Sequence, residues 1–411
     1  MPAAGVVRAY TAEIMRRVYL DNAATSFPKP PAVAEAMMRF MERNGASPRG
    51  RFAEAREAGE SLARCRERIR ELINGESADH VVFTLNTTDA LNVAIHGVVR
   101  PHLRSGRRPH VVATWYDHNS VLRPYNALAA EGVEQTRVEC DPETGLVDPE
   151  DVRRAIRPGQ TVLVAVNHAS NVTGVVQSVA EIGRVCREAG VPLLVDAAQS
   201  LGHIPVDVRA MGIDLLAFPG HKGLLGPTGT GGLYLRPGME ELVEPVRQGG
   251  TGSRSEEDVQ PRMLPDRYEP GSHNTVGIIG LSEGVAWLLE RGIGAVRRHE
   301  KALIEAVLDE CGDLPRGLRL LGPRSAEGRV GVFSFVHESI SATELADRLE
   351  REHGVLSRAG LHCAPLAHRS LGTAPPRGAG AVRLSVGPFV TVEDVVGAVR
   401  GLKEVCAGVT V

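Results

Sequence analysis

Two short segments place a carboxylate and an amine where they could act together. Val191-Pro-Leu-Leu-Val-Asp196-Ala-Ala-Gln199 reads as an apolar strand ending in Asp196, with the amide of Gln199 three residues on. The next apolar run, Ile213–Phe218, ends in Pro219-Gly220-His221-Lys222. Taken alone, Asp196 is better explained as a helix cap or turn residue, and a lysine is ordinarily a solvated surface cation. The 26 residues from Asp196 to Lys222 match one crossover plus one strand, so both groups leave neighbouring strand ends. A lysine beside a carboxylate in a crevice is a candidate for Schiff-base chemistry.

A third group completes a pattern. Asn86-Thr87-Thr88 opens a helix whose first amides and hydroxyls would hold an anion, although the same cluster is also a plain helix cap. A lysine, an acid to keep a ring nitrogen protonated, and an anion cradle are what pyridoxal phosphate requires. The Gly226–Gly231 stretch offers a rival, a non-enzymatic phosphate- or nucleotide-binding module. It lacks the Gly-Lys-Ser/Thr ending of a nucleotide loop.

A possible nucleophile lies far downstream, in Arg358-Ala-Gly-Leu-His362-Cys363-Ala-Pro-Leu366. Most lone cysteines are buried and inert, but Gly and Pro flank this one and place it in a loop. The other five (Cys65, Cys140, Cys186, Cys311, Cys406) fall in helix-like or strand-like stretches and read as structural. No C-x-x-C pair occurs, which fits reduced thiols better than a disulfide framework. The spacing of His362, Cys363 and His368 matches no strong zinc signature, so no metal is expected.

The elements that must position these groups are legible as short apolar runs alternating with amphipathic stretches. The runs are Val81–Leu85, Val111–Tyr116, Val133–Glu139, Thr161–Asn167, Val191–Asp196, Ile213–Phe218 and Gly231–Leu235. Buried parallel strands read this way, with helices such as Asp148–Ile156 and Val179–Ala189 covering the sheet faces. Polar clusters sit at the strand exits, where open α/β sheets bind ligands. Arg247 to His273, rich in Gly, Pro and charge, reads as a long exposed loop. A helix over Thr275–Arg291 then leads to strands near Leu318–Leu321, Val330–Val336, Val355–Arg358 and Val382–Val386. Helices are expected at Ala342–His353 and Val392–Cys406, making a small α+β unit.

The 411 residues are long for one domain, and two unequal domains are expected. The expected division is an N-terminal segment 1–30 packing with the small domain, a large domain 31–288, and a small domain 289–411 carrying the Cys363 loop. A net charge of -3, 4% aromatic residues and no long basic run speak against a nucleic-acid partner. No apolar stretch approaches a bilayer span. Met1 to Arg17 has no continuous apolar core and carries Glu13 and three arginines, so it reads as a loosely docked tail rather than a secretion signal. A cytoplasmic location is expected.

Asp196-Ala-Ala-Gln199, Gly220-His221-Lys222 and Gly226-Pro-Thr-Gly-Thr-Gly231 together resemble the class V aminotransferase branch of fold-type I pyridoxal-phosphate enzymes. Tyr19-Leu-Asp-Asn-Ala-Ala24 matches that branch's N-terminal signature, and the likeness runs on through Asn171 and Gly271-Ser-His-Asn-Thr275 to Arg383. The Arg358–Leu366 segment is similar to the sulfur-accepting loop of the cysteine desulfurases of Suf/Csd type (group II). The resemblance implies a large domain with a mostly parallel seven-stranded sheet and a smaller α+β C-terminal domain.

It also implies roles. Lys222 would bind pyridoxal 5'-phosphate covalently, Asp196 would pair with the ring nitrogen and Gln199 with the phenolic oxygen. His118 would stack on the ring and move protons. Thr87, Thr88 and His221 would hold the phosphate, with Ser272 reaching in from a second subunit of a homodimer. Asn171, Arg358 and Arg383 would bind the substrate, Asn171 and Arg383 gripping its carboxylate. Lys222 would take the Cα proton of L-cysteine, Cys363 would receive the sulfur as a persulfide, and alanine would leave. A thiolate is needed for that attack, and Arg358 or a protonated His362 would favour it. A sulfur-acceptor protein is the implied partner and iron–sulfur cluster assembly the implied setting. Selenocysteine lyase, aminotransferase and epimerase activities share Lys222 and Asp196 and remain alternatives. Asn86, Asn119 and Pro219 depart from the best-known members, which carry Gly, a second His and Ser there.

Overall fold

A computed structural model describes residues 17–376 and 378–407. Residues 1–16 of the expected N-terminal segment lie outside the described residues. The first element among the described residues is a two-residue strand, β1 (Val18–Tyr19), which belongs to a distant partner treated below.

Seven strands form the main sheet: β2 (Val81–Thr84), β3 (His110–Thr114), β4 (Glu134–Val138), β5 (Thr161–Asn167), β6 (Leu193–Asp196), β7 (Leu215–Pro219) and β8 (Gly231–Leu235). Each lies within two residues of the apolar run that predicts it. Their spatial order is β2-β8-β7-β6-β5-β3-β4. The β6–β7, β5–β6, β3–β5 and β3–β4 pairs are parallel, and β8 runs antiparallel to both neighbours. Both faces are dry. Leu193 and Val195 of β6 join one apolar core with Ile69, Ile182 and Leu281, whereas Leu194 joins the other with Leu91, Ile95 and Tyr125. Side chains alternate across a strand, so a sheet buried on both faces needs an unbroken apolar run.

The second sheet is antiparallel, in the order β12 (Arg358–Gly360), β13 (Ala381–Ser385), β10 (Val332–His337), β9 (Leu318–Leu320). Phe333, Phe335, Val382 and Leu384 pack there against Leu345 and Leu349 of the Ala342–His353 helix and Val399 and Leu402 of the Val392–Ala407 helix. One expected strand is divided. Val355–Arg358 becomes β11 (Val355–Leu356), paired in parallel with β1, and β12, which pairs with β13. The break at Ser357 lets the chain leave one sheet for the other, and periodicity cannot show such a change of partner.

A helix that the apolar pattern did not announce, Ile293–Glu310, joins the two cores. Its Val296 contributes to the large-sheet core, and Leu303, Ile304 and Val307 to the smaller one. Among the described residues no helix is long and apolar enough to cross a membrane.

Candidate active site

The carboxyl ends of β5, β6 and β7 carry the groups picked out by sequence. Asn167 and Asp196 are register partners on β5 and β6, and Asp196 faces Ala217 of β7, two residues before the strand ends at Pro219. Thr87, Thr88, His118, Asn171, Asp196, Gln199, His221 and Lys222 line one cavity. The chain thus brings eight of the expected site residues to one place from five separate segments.

Asp196 is buried, and one of its oxygens accepts a hydrogen bond from the Ala198 amide at 2.9 Å. Its other oxygen has no partner among the described residues. Burial raises its carboxyl pKa, opposed by the Ala198 amide and the Lys222 ammonium. Burial likewise pushes Lys222 down to about 8, a shift Asp196 resists and Arg383 and Arg358 reinforce. Gln199 is fixed by donating to the Ala23 carbonyl at 2.9 Å.

At the other end of the cavity the Thr87–Arg104 helix presents its first turn, capped by the Asn86 side chain accepting from the Asp89 amide at 3.0 Å. Gly231 makes this approach possible, because a Cβ there would lie 2.7 Å from the Cα of Asn86. His221 lies beside the helix with Nδ1 buried and unpartnered. Its carbonyl receives four donors from the N-terminal segment: the Ser26 amide (3.0 Å), Thr25 Oγ1 and Ser26 Oγ (3.1 Å each) and Lys29 Nζ (2.8 Å). The peptide leading into Lys222 is therefore clamped.

His118 caps the Asn119–Ala130 helix, its Nδ1 accepting from the Ser120 amide at 3.1 Å. Burial first, and then the Lys222 and Arg123 cations, lower its pKa to about 4, so the ring is neutral at neutral pH.

The remaining expected residues are placed differently. Arg383 on β13 is buried, with its guanidinium already engaged by Asp21 at 2.8 Å and the Asn171 carbonyl at 3.1 Å; its Nε is unpartnered. Arg358 faces it across the β12–β13 register but is exposed. Cys363 is exposed, while the other five cysteines are buried with thiol pKa values raised to about 11 or 12. His362 and Cys363 both adopt left-handed backbone, φ 50° and 58°. Asn171 Nδ2 donates to the His362 carbonyl at 2.6 Å and the Asn119 amide to the Cys363 carbonyl at 2.8 Å, fixing the thiol's backbone against the cavity rim. The expectation of a protonated His362 is overturned. Burial and the neighbouring Arg383 hold its pKa near about 3, so it is neutral and supplies no cation to the thiol.

Ser272 is exposed and does not line its own chain's cavity. The segment before it is held by Glu269, a buried carboxylate that accepts two hydrogen bonds from Arg66 (2.8 and 2.7 Å) and one from the Phe83 amide (2.6 Å). Among the described residues no group of three His, Cys, Asp or Glu could hold a metal ion.

Sequence reasoning missed Ser120, which lines the cavity, and Lys29 and Asp21, which brace its walls. Ser120 is the second residue of the helix that His118 caps, past the cap position where a serine is favoured, so no local signal marks its side chain. Nothing local marks Lys29, and although Asp21 lies in the Tyr19–Ala24 signature, its contact with Arg383, 362 residues on, is not legible there.

The residues fit pyridoxal phosphate. Asp196 keeps one carboxylate oxygen without a partner among the described residues and would pair with a protonated ring nitrogen, Lys222 of lowered pKa lines the same cavity, and a helix N-terminus with the orphaned Nδ1 of His221 would take an anion. Residues 18–396 match the family model described as aminotransferase class-V. Among curated proteins, the chain is 36% identical to a probable cysteine desulfurase of Methanothermobacter thermautotrophicus, with 92% of each chain covered. It is 31% identical to a cysteine desulfurase of Yersinia pseudotuberculosis, with 84% of each covered. A solved apo cysteine desulfurase from Thermococcus onnurineus superposes with a TM-score of 0.86 at 32% identity, covering 96% of this chain and 95% of that one. The cysteine desulfurase CsdA (S-sulfonic acid) from Escherichia coli gives 0.84 at 28% identity, with 96% of each covered. With the motifs, the cavity and these likenesses in agreement over nearly its whole length, the chain belongs to the class-V aminotransferase family, among its pyridoxal-phosphate-dependent cysteine desulfurases.

Proposed function

We propose that this cavity converts L-cysteine to L-alanine, with the sulfur passing to Cys363 as a persulfide. The observation that carries the reading is the anchoring of an exposed cysteine, by its own carbonyl, to the residue next to His118. Bound pyridoxal phosphate supplies an electron sink that lets a proton leave Cα of an amino acid. The chain's own residues do the rest. Thr87, the first amides of its helix (that of Thr88 among them) and His221 would hold the phosphate. Asp196 would keep a proton on the ring nitrogen, and Gln199 would bond the phenolic oxygen.

Lys222 would hold the cofactor and would accept the Cα proton at Nζ; its lowered pKa leaves a usable fraction neutral near pH 7–8. Asn171 and Arg383 orient the substrate carboxylate, Arg383 exchanging its contact with Asp21 for the substrate. Arg358, exposed at the rim, adds positive charge near that carboxylate and near Cys363. Cys363 Sγ attacks the substrate sulfur as a thiolate; the carbon–sulfur bond breaks as the new sulfur–sulfur bond forms, and its electron pair returns to the carbon skeleton.

The same reading extends to assembly. Ser272 serves the cavity of a second copy in a homodimer, a cytoplasmic acceptor protein removes the persulfide sulfur, and iron–sulfur cluster assembly consumes it. The exposure of Ser272 on a braced segment supports the first of these.

The test is a cysteine-dependent alanine assay on wild type and Cys363→Ala, with and without reductant. Alanine and persulfide should appear in equal amounts and vanish in the variant. Full turnover by Cys363→Ala would refute sulfur transfer through this residue.

A further inference from the structure

Three side chains in the cavity form a directed chain. Thr88 Oγ1 lies 2.8 Å from Ser120 Oγ, and Ser120 Oγ lies 2.8 Å from His118 Nδ1. Hydroxyl protons rotate and do not fix the direction of such a chain. The backbone does. The Ser120 amide, which can only donate, points at the same Nδ1 from 3.1 Å. A proton on Nδ1 would face that amide head-on, so Nδ1 must be the acceptor and the neutral ring carries its proton on Nε2. Ser120 Oγ then donates to Nδ1 and accepts from Thr88, whose hydroxyl proton is committed inward.

We propose that Ser120 is a positioning residue that holds His118 in its Nε2–H form, so that the imidazole meets the contents of the cavity as a hydrogen-bond donor and not as a base. Neither Ser120 nor the direction of this chain follows from the roles read from sequence, which gave His118 an unspecified part in moving protons. Two consequences follow. Thr88 contributes its main-chain amide rather than its hydroxyl to an anion at the helix end. His118 can give a proton from Nε2 and regain it, but it cannot take the first one.

Around the ring stand Lys222 at the end of β7, Arg123 on its own helix, and Arg358 and Arg383 on β12 and β13. All four are cations, and they oppose a second proton on His118. The consequence for sulfur transfer rests on the function proposed above, whereas the tautomer does not.

Histidine-selective 15N NMR of the protein tests this, with and without pyridoxal phosphate, His118 being assigned by difference against His118→Gln. Wild type and Ser120→Thr should show His118 as Nε2–H from about pH 6 to 9. Ser120→Ala, which keeps the amide but loses the hydroxyl, should shift the Nδ1 resonance towards that of a less hydrogen-bonded nitrogen, with unchanged far-UV circular dichroism. An Nδ1–H ring in wild type, or identical His118 signals in wild type and Ser120→Ala, would overturn the proposal. Failure of the alanine assay would instead strike the desulfurase reading and leave the tautomer measurement standing.

Discussion

The main-chain amide of Asn119 donates to the carbonyl of Cys363 across 2.8 Å, joining the first turn of the helix that His118 caps to a loop in the C-terminal half of the chain. A second tie, from Asn171 Nδ2 to the His362 carbonyl at 2.6 Å, lies next to it. Between them these bonds hold two consecutive left-handed residues, a conformation that costs non-glycine residues of order 1 kcal/mol each. The loop thus keeps an exposed thiol at a fixed point on the rim.

Removing the side-chain tie should uncouple the loop from the cavity. Asn171→Ala is expected to lower the rate of persulfide formation at least about 10-fold, since small misplacements of a reacting group cost that much or more. Cofactor absorbance should be retained. Stopped-flow measurement of the first turnover gives the answer, and a rate within a factor of two of wild type would show that the bond does not position Cys363.

Accessibility separates Cys363 from its five buried counterparts. A chromogenic disulfide reagent should therefore titrate one thiol per native chain, and six after denaturation. Cys363→Ala should give none before denaturation. A second fast-reacting thiol in the native protein would contradict the burial of the others.

Burial of Lys222 predicts a pH-dependent penalty in cofactor-free protein. Its pKa is about 8 when folded and near the ordinary 10.5 when unfolded, so the unfolded chain binds more protons between those values. Stability contributed through this group is therefore lowest below about pH 8 and recovers as pH rises towards 10.5. Lys222→Met should stabilise the cofactor-free protein at pH 7 by up to about 3 kcal/mol, a gain that shrinks above pH 8. Urea unfolding of both proteins across that range measures the difference. Lys29, also lowered to about 8 by burial, titrates equally in both and cancels.

Gly231 sets the seat of the anion subsite. In Gly231→Ala the new Cβ would meet Asn86 backbone atoms at 2.7 and 2.8 Å, and backbone cannot step aside as a flexible side chain can. The first turn of the Thr87–Arg104 helix must shift, and affinity for pyridoxal phosphate should fall at least about 10-fold. Absorbance titration of cofactor-free protein reads this; unchanged affinity would mean that the helix terminus is not the anion subsite.

Much of this protein is written locally. A continuous apolar run such as Leu193–Val195, buried on both faces, can hardly be anything but an interior strand, and Asp196 at its end falls at the crevice by the same logic. Lys222, one strand on, follows from the same spacing. What the sequence could not determine is what depends on contacts between distant segments. Val355–Leu356 and Arg358–Gly360 read as one strand and serve two sheets, because the partner, β1, lies more than 300 residues away. His362 was a plausible cation by its type alone, and only burial beside Arg383 makes it neutral. Arg383 reads as a carboxylate grip, yet the folded chain gives it Asp21 as a resident partner. Ser120 carried no signal at its place inside the helix that His118 caps, and the direction of its hydrogen bonds follows from where the His118 ring comes to rest. Residue type and spacing determined which chemistry this chain can support; tertiary structure decided the charge, tautomer and partner of each group, because these are set by desolvation and by neighbours that only folding supplies.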